Sequence, residues 1–217
     1  MVTEHLPPYQ IAKNGKVIGG SSYLIMKEVF SRAKIKATHE VMPWARAYKI
    51  ALSRSNTIIY SITRSPERES LFRWIGQLSK LEYSFFTTKD NQSVNIKTTS
   101  DALNYTAVSV RGSFEANSLQ RFGFVLGVNL ILVVDYTSAW KMLEIGRADI
   151  TYANAPIFNH INVDESLFKK QGDVVEILAI YAASNLNTDT KFLDDLSTAF
   201  QSVQKDPSFK GLFNINN

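Results

Sequence analysis

Four side chains in one short stretch could together hold a small anion. They are Ser61, Thr63, Ser65 and Arg68, within Tyr60-Ser61-Ile62-Thr63-Arg64-Ser65-Pro66-Glu67-Arg68-Glu69. The apolar run Thr57-Ile58-Ile59 before them predicts a strand end. Ser65 suits a helix N-cap and Pro66 a first helical position, so the sequence predicts a strand that turns directly into a helix. Such a start leaves backbone N–H groups unpaired and carries partial positive charge, which favours an anion. Arg68 would then lie in the first turn, where a cap shaped for stability alone would carry Glu or Gln. Arginine grips a planar carboxylate through two parallel hydrogen bonds. The chemistry expected is a carboxylate clamp of Arg68 with the three hydroxyls. The same residues also suit an ordinary capped helix with its arginine in solvent, and the local sequence leaves both readings open.

Two further places carry polar groups at a strand end. Arg111-Gly112-Ser113 falls between a predicted strand at 107–110 and a predicted helix reaching about Phe122. Gly112 allows close backbone approach and Ser113 can cap, although a plain strand-to-helix turn needs the same residues. Tyr152-Ala153-Asn154-Ala155-Pro156 follows another predicted strand, and ligands gather at the carboxyl ends of strands in open α/β sheets. Glu4, beside His5 and Pro7-Pro8-Tyr9, could serve as an acid or base, although a lone Glu at a strand end is more often a hydrogen-bonding group. Other enzyme signatures are thin. His5, His39 and His160 show no metal-ligand spacing and the chain has no Cys. There is no GxSxG elbow, no phosphate loop and no GxGxxG. No cofactor, metal or catalytic residue is expected.

The elements that must place these groups read as alternating strands and helices. The 217 residues suffice for one large domain or two small lobes. At 45% hydrophobic and 20% charged residues the chain is globular in composition. The net charge of +4 is spread out, with no basic run interleaved with aromatics, so nucleic acid is not an expected partner. No apolar run approaches the ~20 residues of a membrane span. Met1-Val2 leads straight into polar sequence, as after a removed signal peptide or in a cytosolic chain.

Asn14-Gly15-Lys16 predicts a turn, and Gly19-Gly20 precedes a helix with Tyr23, Met26, Val29, Phe30 and Ala33 on its apolar face. Residues 34–42 read as a strand, and Pro43 opens a helix presenting Trp44, Ala47, Tyr48, Ala51 and Leu52. Further on, Tyr83–Phe86, Leu130–Val134, Asp149–Tyr152 and Val174–Ala182 read as strands. Helices are expected from a Thr137 cap to Ile145, from an Asp164 cap to Gly172, and from Asp189 to Gln204. This order predicts a mostly parallel sheet.

Taken together, these pieces resemble the bacterial extracellular solute-binding proteins of family 3, the periplasmic amino-acid-binding components of ABC transporters. The residues that carry the likeness are Pro8-Tyr9, Gly15 and Gly19, Pro43-Trp44-Ala45-Arg46-Ala47, Ser61-Ile62-Thr63, Ser65-Pro66-Glu67-Arg68, Val110-Arg111-Gly112-Ser113 and Gly146-Arg147-Ala148-Asp149. The resemblance covers nearly the whole chain. It implies a type II periplasmic-binding-protein fold, with two α/β lobes and a ligand cleft between them. Lobe one would be residues 1–84 with 185–217, and lobe two residues 85–184.

It also implies roles. Arg68 would hold a ligand carboxylate, and Ser61 and Thr63 would bond the carboxylate or the amine. Ser65 would belong to the same lobe-one site. Ser113, with Phe114 beside it, would act from lobe two. Tyr9 and Trp44 would be cleft aromatics, although Trp44 equally suits a core position. Where relatives carry an Asp that pairs with the ligand ammonium, this chain has Asn154, so either Glu4 supplies the negative charge or the ligand is not an ordinary α-amino acid. Arg111 adds a cation, which suggests a ligand with at least one carboxylate. The usual Asp before the Ile58 strand is also missing, which marks a divergent member. The implied partners are a small carboxylate ligand and the membrane permease of an ABC transporter. The implied protein is periplasmic and monomeric, its signal peptide removed, and signals by closing on its ligand. Two alternatives stay open: an enzyme similar to cyclohexadienyl dehydratases using Glu4, and the sensing domain of a membrane receptor.

Overall fold

The computed structural model describes residues 1–154 and 164–213. Ala155, Pro156 and His160 therefore lie outside the described residues. The chain divides into two compact units, Met1–Leu81 with Leu178–Asn217, and Glu82–Ile177. The backbone passes from one to the other inside two long strands, Phe72–Thr88 and Phe168–Asn185.

The first unit opens with β1 (Val2–Thr3) and a hairpin of β2 (Ile11–Lys13) and β3 (Lys16–Gly19). The hairpin turns at Asn14 and Gly15, both at positive φ, as a tight two-residue hairpin requires. Then come α1 (Ser21–Arg32), β4 (Glu40–Val41), α2 (Trp44–Ser53), β5 (Ile58–Thr63) and β6 (Phe72–Thr88). β1 pairs in parallel with β4 and with β5. All six residues of β5 are buried, as expected of a strand covered on both faces. Two helices bring apolar stripes to this unit. α1 contributes Ile25, Met26, Val29 and Phe30, and the C-terminal helix (Thr190–Lys205) contributes Leu193, Leu196, Phe200 and Val203.

The second unit repeats the plan. β7 (Ala107–Val110), α3 (Phe114–Phe122), β8 (Leu130–Val133), α4 (Tyr136–Glu144) and β9 (Ile150–Asn154) alternate along the chain. β7 pairs in parallel with β8 and β9, while the second half of β6 runs antiparallel to β9. Trp140 of α4, fully buried, packs edge-on between Phe86 and Phe168. The last strand, β10 (Phe168–Asn185), returns to the first unit and pairs antiparallel with β5. The C-terminal helix, α5, follows, and its N-cap Asp189 accepts from the Phe192 N–H at 2.8 Å.

Several expectations are corrected. No α-helix starts at Ser65. Residues 65–68 form a turn in which the Arg68 N–H donates to the Ser65 carbonyl, and one 3-10 turn (Glu69–Leu71) leads into β6. The residues that follow, Phe72-Arg73-Trp74-Ile75-Gly76, combine aromatic and β-branched side chains with a glycine, a composition that suits a pleated strand and weakens a helix. Likewise Asp164 caps only a 3-10 turn (Glu165–Leu167). Gly172, at φ +67, lies within β10, where a Cβ would stand 2.9 Å from the Ile96 carbonyl oxygen. Asp135, not Thr137, caps α4 through the Ser138 N–H. The strand expected over 34–42 is reduced to the two residues of β4.

Candidate functional site

Within the first unit the candidate residues collect beyond the carboxyl ends of parallel strands. Glu4 follows β1, Trp44 opens α2 after β4, and Ser61 and Thr63 end β5. That is the edge of an α/β sheet where ligands are held. Glu4, Tyr9, Trp44, Ser61, Thr63, Ser65 and Arg68 are all buried.

Arg68 is 3% exposed, so it does not turn to solvent. Its guanidinium lies over two rings of α2, 5.5 Å from the Trp44 centroid and 5.1 Å from that of Tyr48. Its Nη1 donates to the Thr63 carbonyl at 3.3 Å. Aromatic faces attract a cation and fix the plane of the group. The positive charge here is therefore the guanidinium's own, with no helix start behind it.

The loop that carries Arg68 is fixed from its outer side. Arg64 makes a two-pronged ion pair with Glu69, at 2.7 and 2.5 Å, and lies over the rings of Trp74 and Tyr181. The indole of Trp74 donates to the Glu69 carbonyl at 3.2 Å. The hydrogen bonds from Arg64, and to a lesser degree its charge, hold the Glu69 carboxyl below its usual range. Both groups are well exposed, so the pair's worth is mainly its forked geometry.

Ser61 breaks the regular strand. Tyr60 pairs with Ala182 and Ile62 with Tyr181, which leaves Ser61 as the extra residue of a β-bulge at φ +59. A bulge re-aims its side chain, and a left-handed non-glycine residue is the kind of strain that collects at functional sites. The Ser61 hydroxyl donates to Oε1 of Gln10 at 2.7 Å. Tyr9 is held beside Gln10. Its carbonyl accepts from the Tyr23 N–H and that of Pro8 from the Ser21 N–H, both at the start of α1. Burial raises the Tyr9 hydroxyl well above its ordinary pKa, so it stays a neutral donor.

In the second unit Arg111 is exposed, and its backbone N–H donates to Val133. Gly112 has φ +71, and Ser113 is the N-cap of α3, its Oγ accepting from the Ala116 N–H at 3.0 Å. Phe114 is buried against Tyr83, with Arg121 over its ring. The Asn154 side chain donates to the Glu82 carbonyl at 3.0 Å. Losing the cap in Ser113→Ala should destabilise the protein by about 1 kcal/mol, read as a lower midpoint in urea. An unchanged midpoint would show that the hydroxyl does not cap in solution.

The structure thus brings Trp44, Thr63 and Arg68 into one contact set, with Ser61 two residues away on β5. Two neighbours were not singled out from sequence. Tyr48 carries a signal, since it lies four residues after Trp44 on a helix. Gln10 carries none. Among the described residues no group of three His, Asp or Glu could hold a metal ion, and no helix is long and apolar enough to cross a membrane.

Two α/β units, each with candidate residues at strand carboxyl ends, define the class of two-lobed binding proteins with the type II periplasmic-binding-protein fold. Residues 1–214 match the bacterial extracellular solute-binding proteins, family 3, and the chain belongs to that family. Solved structures agree on the fold. A variant of ArgBP from T. maritima is 17% identical, covers 97% of this chain and 90% of its own, and superposes with a TM-score of 0.83. A histidine kinase sensor domain with similarity to periplasmic binding proteins is 15% identical over 98% and 93%, with a TM-score of 0.84. The GluR0 ligand-binding core from Nostoc punctiforme, in complex with L-glutamate, is 14% identical over 97% and 95%, with a TM-score of 0.81. No curated protein matches the chain in sequence.

Proposed function

We propose that this protein is a periplasmic solute-binding protein that captures an amino acid or a related small organic acid and presents it to the permease of an ABC transporter. The observation that carries the reading is the buried guanidinium of Arg68, over Trp44 and Tyr48, at the carboxyl edge of the first unit's sheet. The rings of Trp44 and Tyr48 hold the guanidinium in place, and a guanidinium can grip a planar carboxylate through two parallel N–H groups. Family membership and the neighbours named as arginine-, cystine- and glutamate-related proteins support an amino-acid ligand. Ser61, Thr63, Ser65, Tyr9 and Glu4 complete the first unit's share of the site. Ser113, Phe114, Arg111 and Asn154 are the second unit's candidates.

The test is a thermal-shift screen of amino acids, dicarboxylates and aromatic acids. A ligand at ~100 times its dissociation constant adds ~2.7 kcal/mol, which for a chain of this size raises Tm by roughly 5–10 °C. At least one carboxylate compound is expected to do so. A screen in which none shifts the midpoint would reject the reading. A second reading, the sensing domain of a membrane receptor, is favoured by the likeness to a histidine kinase sensor domain. A gene that continues into a membrane span and a kinase would decide for it.

A further inference from the structure

The outer edge of the second unit's sheet is β8, which pairs with β7 alone among the described strands. Its hydrogen bonds to β7 show which way each residue faces. The Ala107 N–H donates to the Asn129 carbonyl and the Arg111 N–H to the Val133 carbonyl, both at 2.9 Å. Backbone groups alternate along a strand, so those of Ile131 and Val133 point to β7 and those of Leu130, Leu132 and Val134 point away. The turn before the strand engages the first of these. The Leu130 N–H donates to the Val125 carbonyl, and the Leu130 carbonyl accepts from the Gly127 N–H. Leu132 and Val134 make no such bonds among the described residues, which leaves two donors and two acceptors on the open edge. The side chains around them are apolar. Val134 is 60% exposed, and Leu126 and Val128 of the adjoining turn are 54% and 77% exposed. From Phe122 to Val134 the chain carries no charged residue and no proline, and the register with β7 has no bulge. Edge strands are normally blunted by one of those three devices.

We infer that β8 is a self-association edge, on which two copies of the chain pair their β8 strands antiparallel about a two-fold axis. An occupant of this edge must bring backbone donors and acceptors at strand spacing, which a lipid surface cannot do. A second β8 brings them. Pairing centred on Val133 sets Leu132 of each copy opposite Val134 of the other, and four N–H···O=C bonds then use every open group. Val133 faces its own counterpart in a non-hydrogen-bonded pair, where side chains come closest and β-branched residues pack well. Because the stretch is uncharged, the two-fold axis sets no like charges against each other. The contact is isologous, so it consumes both edges and stops at two copies instead of growing into a fibre. Only a short strand and its turn take part, so the dimer is weak, half formed at roughly 10–100 μM chain, in keeping with an interface at the small end of the range. The resemblance to the family implies a monomer, and below that concentration the chain is one. The inference holds whatever the ligand.

The experiment is sedimentation velocity of the full chain at rising concentration. Wild type should move from monomer toward dimer. A monomer that persists to about 1 mM overturns the inference, whether or not the edge then captures an extended peptide of another protein. Val134→Lys puts a cation on each strand of the pair and should raise the midpoint concentration at least roughly tenfold. Ile18→Lys changes a residue of the first unit that is 61% exposed, and should leave the midpoint where it was. An unchanged midpoint in Val134→Lys, or equal shifts in the two variants, overturns the inference, the second because it would show general stickiness instead of a specific edge. Should Val134→Lys not fold, amide hydrogen exchange of the wild type decides without a variant. The Leu132 and Val134 amides should exchange several-fold more slowly at high concentration than at low. Those of Ile131 and Val133 already face β7 and should change far less. Exchange at Leu132 and Val134 that does not depend on concentration overturns the inference even where a dimer forms, because the contact then lies elsewhere.

Discussion

Replacing Arg68 with alanine is expected to weaken ligand binding roughly 10²- to 10³-fold. Truncating one member of a buried, hydrogen-bonded charge pair costs about 2–5 kcal/mol, part of which is the ligand charge left without a partner. The burial of Arg68 places it in that regime and not among the weak surface pairs. Arg68→Lys should recover only a fraction of the loss. An ammonium keeps the charge but cannot present two parallel N–H groups or lie flat over Trp44 and Tyr48. The alanine variant should also lose roughly 1 kcal/mol of stability with its ring contacts, so binding is measured by calorimetry well below its melting point. Affinity within about threefold of wild type would mean that the ligand's anion is held elsewhere.

The second large effect is expected at Gly20→Ala. Gly20 precedes α1 with φ +107, a conformation that side chains rarely adopt. An added Cβ would stand 2.5 Å from the Tyr9 carbonyl oxygen and 2.7 Å from the Gln10 Cα. Those atoms are backbone and cannot swing aside as a flexible side chain would. Strain at such a position costs about 1–3 kcal/mol, and forcing an atom into filled space about as much again. A loss of roughly 3 kcal/mol is therefore expected, read from denaturant midpoints. Because the displaced segment carries Tyr9 and the amide that holds Ser61, affinity should fall with stability. A variant as stable as wild type would show that α1 does not seat against this segment in solution.

Much of the fold was legible in local chemistry. Asn14-Gly15 can turn a hairpin, Pro43 can open a helix, and Asp189 can cap one, and each did so because its own backbone preference agreed with its surroundings. Family motifs spread over the chain point to solute binding. The site was legible only in its residue types. Ser65-Pro66 reads as a helix start, yet the chain there makes a turn and enters β6, because Phe72 and Trp74 find aromatic neighbours in Tyr48 and Tyr181. Nothing local in Phe72-Arg73-Trp74 announces those partners.

What sequence alone determined is the chemistry available: a cation at position 68, hydroxyls at 61, 63 and 65, and an amide at 154. Only the tertiary structure decided how that chemistry is presented. It buried Arg68 over two rings of a helix more than fifteen residues upstream, made Ser61 a bulge against β10, and turned its proton toward Gln10. The physical reason is range. Turn and cap preferences act over three or four residues, whereas ring stacking, strand register and a shared proton depend on residues that only folding brings together.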